Sequence, residues 1–316
     1  MNGYDADVVV IGGGAAGLNG ALMLVRSRRQ VIVVDAGEPR NAPAHGVHGL
    51  LGREGMPPAE LLAAGRSEVQ GYGGAVVQDR VTSLRRDDAS ALVVTLRGGR
   101  VLRARRVLIA TGLVDVLPPI PGMADLWGVD VLHCPYCHGW EVRDTAIGVL
   151  ATGPASPHHG LLFRQLSDDI VYFTNGMSLP ADLAEQFAAL DVTVVDGVVT
   201  ALDTRDGRLT GVRLDDGSLV ARTALAVATT LQARVDFARD IGLVPVEHSM
   251  GVGHHIPAGP TGQTDTAGVW VAGNVTDLMA QVGASAAQGA LAGAHINADL
   301  VAEDARRAVQ ARAAVS

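Results

Sequence analysis

The sequence contains no lysine, and all 25 of its basic residues are arginine. That excludes chemistry that needs a lysine amine: a Schiff base, a P-loop phosphate lysine or a Tyr-Lys hydride-transfer pair. Aromatic residues are only 3%, which weakens any reading built on base stacking or on an aromatic carbohydrate platform. With 33 acidic residues the net charge is −8, so nonspecific binding to nucleic acid or to an anionic membrane is disfavoured. There are two cysteines, Cys134 and Cys137. They are too few and too close for a disulfide framework, and point instead to redox chemistry or metal binding. No basic leader is visible, because Asp5 and Asp7 stand where one would lie. Two stretches lack charge, residues 8–25 and 278–298. The first carries five glycines and Asn19, and the second is mostly Ala and Gly with Gln281, Gln288, His295 and Asn297. Membrane spans are rich in large aliphatic residues, so neither is read as one. A soluble cytoplasmic protein is expected.

The chain has 316 residues, is 48% hydrophobic and 18% charged. It is long enough for about two domains and apolar enough to bury a core. Residues 7–11 (DVVVI) read as a buried strand, residues 18–28 as a helix and residues 30–34 (QVIVV) as a second strand. This is one βαβ unit. Strand-like runs follow at 75–77, 92–96 and 106–109, before Pro118, Pro119 and Pro121 mark a crossing between domains. A second βαβ pattern begins at residues 146–150, with a helix over 154–166 and a strand at 170–173. Further strands are expected within 192–228 and at 269–272, and a long Ala-rich helix over about 278–299. Repeated βαβ units predict an α/β protein with parallel sheets.

Gly12-x-Gly14-x-x-Gly17 lies between strand and helix, with Asp35 ending the next strand. In that context the motif is a dinucleotide-binding signature. The first glycine allows the tight turn, the second lets backbone approach a pyrophosphate, and the third lets helix and strand pack closely. The phosphates would sit on the helix N-terminus, and Asp35 would accept bonds from ribose hydroxyls. The motif alone does not separate FAD from NAD.

The segment His133-Cys134-Pro135-Tyr136-Cys137-His138-Gly139-Trp140-Glu141 carries the chemistry. A zinc site needs about four ligands in a tetrahedron, which His133 and His138 would hardly complete from so tight a segment. The preferred reading is a reversible disulfide with one low-pKa thiolate. His138 titrates near neutrality and can move the exchange proton. Glu141 either orients that imidazole or is a solvated acid. His45 and His48 lie in the loop after Asp35. The pairs His158-His159 and His254-His255 read as surface or loop residues, and Arg105-Arg106 as a solvated face.

Ala110-Thr111-Gly112 and Gly268 to Asp277 (GVWVAGNVTD) resemble two flavin-binding segments of the two-dinucleotide-domain flavoproteins. With the C-x-x-C between them, nearly the whole chain resembles the low-molecular-weight thioredoxin reductases: two Rossmann-like domains, the second inserted in the first. The resemblance implies a split FAD domain, residues 1–117 and 236–316, and an inserted NADPH-domain-like unit, residues 118–235, carrying the C-x-x-C. It implies FAD held by Gly12, Gly14, Ala15, Ala16, Gly17, Asp35, Ala36, Gly37, Arg40, Asn41, His48, Val81, Ala110, Thr111, Gly112, Gly273, Asn274, Gln281 and Val282. It makes Cys137 the thiol facing the flavin and Cys134 the one meeting substrate. Three departures stand out. Asn274 replaces an aspartate, His138 replaces an acid, and the second Gly-rich turn reads Leu150-Ala151-Thr152-Gly153-Pro154-Ala155-Ser156, with Thr174-Asn175-Gly176 where an arginine clamp for the NADPH phosphate is expected. The nicotinamide site is therefore expected to be degenerate. This combination resembles the dithiol oxidases of gliotoxin and holomycin biosynthesis. That resemblance implies antibiotic biosynthesis, a small dithiol substrate, a homodimer, and electrons passing through FAD to molecular oxygen to give hydrogen peroxide. The alternatives are a thioredoxin reductase drawing on NADPH or ferredoxin, and a flavin-bound redox sensor.

Overall fold

A computed structural model of the chain describes residues 3–87 and 91–314. The chain opens with β1 (Ala6–Ile11), α1 (Ala15–Arg26) and β2 (Val31–Asp35), followed by α2 (Pro58–Gly71), β3 (Ala75–Gln78), β4 (Val81–Arg86), β5 (Leu92–Leu96), β6 (Val101–Ile109) and β7 (Leu113–Val116). It then builds a second unit from β8 (Val131–Leu132), the single turn α3 (Pro135–His138), β9 (Ile147–Leu150), α4 (Ser156–Arg164), β10 (Ile170–Phe173), α5 (Ala181–Ala189), β11 (Thr193–Val195), β12 (Val199–Arg205), β13 (Arg208–Leu214), β14 (Leu219–Val220) and β15 (Ala224–Val227). The return brings β16 (Thr230–Ala233), β17 (Val246–Glu247), β18 (Gly253–His255), β19 (Val269–Val271) and the long α6 (Val282–Ala313).

Two compact units result. One comprises Met1–Ala42, Pro57–Val114 and Leu231–Ser316; the other comprises Pro43–Met56 and Asp115–Thr230. The loop after β2 thus belongs to the unit that carries the cysteines, although the sequence assigns it to the first domain.

In the first unit the sheet runs β3-β2-β1-β6-β5-β4, with β19 also paired to β6. β1, β2, β3, β6 and β19 are parallel, while β4 and β5 add antiparallel to the edge. Successive side chains of a strand face opposite sides. Val8 and Val10 accordingly enter the core shared with α1, and Val9 and Ile11 enter the one shared with Leu84, Val94 and Leu102 of β4 to β6. The Ala/Gly composition that resembles a span in α6 has a packing reason. A Cβ on Gly289 would lie 1.9 Å from the Ala16 carbonyl oxygen, and one on Gly293 2.6 Å from that of Gly20. α1 and α6 therefore cross at backbone distance. No helix among the described residues is long and apolar enough to cross a membrane.

α6 continues to Ala313, well past the expected end near residue 299. Its Asp299, Glu303 and Asp304 pair with Arg29, Arg105 and Arg106. Arg105 and Arg106 side chains are only 10% and 15% exposed, which corrects their reading as a solvated face. A sequence window cannot see this network, because its partners lie 193 to 275 positions apart.

The second unit repeats the parallel theme in the order β11-β10-β9-β15-β8, and adds an antiparallel meander, β12-β13-β14. Strands β9 and β10 are buried throughout, as expected of a parallel sheet covered on both faces.

Candidate functional site

The first cradle lies at the carboxyl ends of the parallel strands. Ile11 is in register with Val34 and Ile109, and Ile109 with Val271. Register alone therefore brings Gly12, Asp35, Ala110-Thr111-Gly112 and Gly273 to one edge, the usual ligand edge of an open α/β sheet. Gly12 has φ +110°, and a Cβ there would meet the Ala110 oxygen at 2.3 Å; one on Gly17 would lie 1.9 Å from the Gly12 oxygen. Gly14 differs: nothing lies within 4 Å of an added Cβ. Gly14 also caps α1 without any side-chain hydrogen bond, and no acid stands in the first turn. Helix N–H groups and the positive end of the dipole are thus presented at an open face. Asp35 leans over the turn, its Cγ 2.4 Å from the position of a Cβ on Gly13, while its Oδ1 accepts the Gly37 N–H at 3.1 Å. Ala15, Ala16 and Gly17 follow in α1, and Ala36, Gly37, Arg40 and Asn41 follow Asp35 along the loop. Val81 is buried at the start of β4. Thr111 donates its hydroxyl to the Arg234 oxygen at 2.6 Å.

At the other side of this edge, the Gly273 N–H donates to Gln288 Oε1 at 3.0 Å. The Asn274 amide nitrogen is held by the carbonyls of Asp277, Leu278 and Ala280 at 3.0, 3.3 and 2.8 Å. Gln281 is the N-cap of α6 and Val282 its first residue. These features suit a dinucleotide: a close backbone approach at Gly14, free helix N–H groups and an acid at the end of β2.

The corresponding turn of the second unit is closed by its own side chains. The buried Ser156 hydroxyl accepts the N–H groups of Thr152 at 2.9 Å and Gly153 at 3.2 Å. Asn175, with φ +49°, bonds the Ala151 oxygen and the Val199 N–H. The turn thus satisfies donors that a phosphate would otherwise take. Ser156 and Asn175 have these roles without any motif to announce them.

Cys134 and Cys137 form a disulfide with Cα atoms 5.2 Å apart. Cys134 precedes α3, and the Cys137 N–H donates to its Sγ at 3.2 Å. A hydrogen bond of that kind favours a thiolate once the disulfide opens. Cys137 is exposed and Cys134 half-buried. His138 is half-buried, and burial pushes its pKa below the ordinary value; Glu141 opposes this, while His48 and His45 reinforce it. Asp130, which also favours protonated His138, is buried. Burial raises its pKa, yet the bidentate bond from Arg208 and the Leu209 N–H bring it below the usual carboxylate range. His48 lies between Glu54 and Glu141, a contact the sequence does not signal. His133 bonds the Val227 oxygen at 3.1 Å through Nδ1 and packs against His159, which meets Phe163 edge-on. His159 is therefore not a surface residue; burial takes its pKa down to about 4. His254 and His255 are half-buried in β18.

A profile of the pyridine nucleotide-disulphide oxidoreductase family matches residues 6–290, and the chain belongs to that family. Within it the chain is a thioredoxin reductase-like oxidoreductase. It is 31% identical to thioredoxin reductase tcpT of Claviceps purpurea (strain 20.1), over 94% of this chain and 95% of that one. It is similar to the crystal structure of HlmI at 44% identity and TM-score 0.91, covering 99% and 98% of the two chains. The oxidoreductase from Agrobacterium tumefaciens is 35% identical, with TM-score 0.87 over 94% of this chain and 98% of that one. Members of this family typically bind flavin.

Proposed function

We propose that the protein oxidises a small-molecule dithiol to an intramolecular disulfide through Cys134 and Cys137, with FAD as cofactor and molecular oxygen as final acceptor. The observation that carries the reading is a contrast within one chain: a redox-active cysteine pair and an open dinucleotide cradle, together with a nicotinamide-type turn filled by Ser156 and pinned by Asn175. Such a chain can take electrons from thiols but has lost the phosphate donors that would hold NADPH.

A substrate thiolate attacks Cys134 Sγ. The substrate–Cys134 S–S bond forms as the Cys134–Cys137 bond breaks, and Cys137 leaves as a thiolate. The second substrate thiol loses its proton and attacks the substrate sulfur of the mixed disulfide. The cyclic disulfide departs, and Cys134 is left as a thiolate stabilised by the Cys137 N–H. His138, kept neutral at neutral pH by burial, accepts a thiol proton. Gly12, Gly14, Ala15, Ala16, Gly17 and Asp35 would hold the pyrophosphate and ribose of FAD, and Asn274 would meet the ribityl chain through Oδ1. FAD, when bound, supplies the two-electron acceptor that allows the cysteine disulfide to re-form and passes the electrons to oxygen as hydrogen peroxide.

The test is anaerobic. Excess NADPH should leave the flavin of the purified protein oxidised, and dithiothreitol should bleach it. Admitting air should restore the colour and yield peroxide. Rapid bleaching by NADPH alone would make the protein a reductase with an unusual nicotinamide site.

A further inference from the structure

His48 Nδ1 lies 2.6 Å from Glu54 Oε1, and its Nε2 lies 3.3 Å from Glu141 Oε1. A neutral imidazole offers one N–H and one lone pair, and an ionised carboxylate only accepts. The first contact is a hydrogen bond and the second an ion-pair contact, so the ring has a carboxylate at each of its two nitrogens. The arrangement is held firmly. The Gly49 N–H fixes the second Glu54 oxygen at 2.9 Å, and the loop closes on itself through Val47 N–H to the Met56 oxygen at 2.8 Å and Gly55 N–H to the Val47 oxygen at 2.9 Å. Pro43 packs so tightly over Gly128 that a Cβ there would meet it at 2.7 Å. Within this one unit, exposure rises from 25% at His48 through 35% at Glu141 to 65% at Glu54.

The inner end faces the cysteine segment. Glu141 follows His138 by three residues and is the charge that most favours a proton on it. The other charged or titratable groups facing His138 are His48, His45 and Asp130, the last neutralised by Arg208. Arg143 is engaged elsewhere, over the Trp140 ring and on the Trp140 oxygen.

We propose that Glu141, His48 and Glu54 form a relay that carries protons from His138 to solvent during dithiol oxidation; it rests on the dithiol reading above. Oxidation of a dithiol to a disulfide releases two electrons, which pass to FAD, and two protons, which must leave the thiol pocket. His138 takes a proton from a substrate thiol as the S–H bond breaks, and gives it up to the Glu141 carboxylate. His48 gains that proton at Nε2 as it releases another from Nδ1 to Glu54, and Glu54 loses it to water. Glu141, His48 and Glu54 are positioning and proton-carrying residues rather than groups that contact substrate.

The experiment uses the flavin-loaded protein and dithiothreitol, with anaerobic stopped-flow reduction followed across the neutral pH range. In parallel, opening of the Cys134–Cys137 disulfide is read by thiol alkylation and mass measurement. Glu141→Gln and His48→Gln should slow opening about tenfold, below the full contribution of a general base. They should also shift the pH profile, and added imidazole should restore rate to His48→Gln. Glu54→Gln should cost about twofold, since water can receive the proton from His48 directly. His48→Asn, with a thermal melt on each variant, separates misfolding from loss of the relay. Variants that match the wild type at every pH overturn the relay, as does a uniform slowing with an unmoved profile and no rescue. A protein whose disulfide opens in this relay-dependent way, yet which consumes no oxygen, supports the relay and overturns the oxidase reading instead.

Discussion

The two Gly-rich turns of this chain occupy the same position in two similar βαβ units, yet they present opposite chemistry. In the first, Gly12 and Gly17 bring backbone to backbone, and Gly14 leaves an open face at a helix that no side chain caps. In the second, Ala151 is buried where the first glycine of the turn would stand, and the Ser156 hydroxyl accepts the Thr152 and Gly153 N–H groups. Gly153 also has nothing within 4 Å of an added Cβ. Open space at a glycine therefore does not make a phosphate site. What matters is whether the N–H groups around it are still available, because a buried donor that already has an acceptor gains little from a ligand.

The largest expected effect bears on the proposed thiol chemistry. Cys137→Ser should lower dithiol oxidation by roughly three orders of magnitude or more, because no Cys134–Cys137 disulfide is left for a substrate thiolate to attack. Full turnover by this variant would sink the exchange scheme. Next comes the first turn. Gly17→Val places a side chain where even a Cβ lies 1.9 Å from the Gly12 oxygen, and should yield protein with little flavin and a stability lower by about 3 kcal/mol or more. In the second turn Gly153, which stands where Gly14 does in the first, has open space around it, and Gly153→Ala should move stability by less than about 1 kcal/mol; a larger loss would show that the open space around this glycine does not tolerate a side chain.

A third prediction concerns pH. His159 has its pKa lowered from 6.5 to about 4, chiefly by burial. Between those values the unfolded chain binds the proton that the folded chain refuses. Stability therefore rises with pH through that window and falls on acidification, by roughly 3 kcal/mol at its acid end. His159→Leu should flatten the acid limb of a denaturant-midpoint profile, and an unchanged slope would count against the burial of this imidazole as its cause. A modest effect is expected at Ser156→Ala, which leaves two N–H groups without their acceptor and should cost about 1–2 kcal/mol. NADPH should still fail to bleach the flavin of this variant, because Asn175 continues to tie the Ala151 oxygen to Val199. A gain of NADPH reduction would make Ser156 alone the lock.

Much of the fold is legible in the residues. The runs at 92–96 and 170–173 match β5 and β10, and the first βαβ unit is shifted by only one to three residues at its strand and helix starts. β1, β2 and β10 are buried parallel strands and β5 is a buried antiparallel one, and in each an apolar, β-branched run is a local signal. The weaker elements escape for local reasons too. α2 and α5 have no side-chain N-cap and follow prolines, and β4 has charged residues on its exposed face.

The sequence by itself determined the chemistry available to this protein. It holds one closely spaced thiol pair, no lysine, a glycine-rich turn, and an acid at the end of the following strand. Each of these is a property of neighbouring residues and survives in any fold that keeps the segment intact. The tertiary structure decided which polar groups remain free. His48 meets Glu141 across 93 positions of chain, and Asn175 reaches back to Ala151 and forward to Val199. Arg105 is drawn onto a helix that begins at Val282. Such contacts form only after distant segments have been brought together at the entropy cost of closing long loops, so no window of sequence contains the information that specifies them.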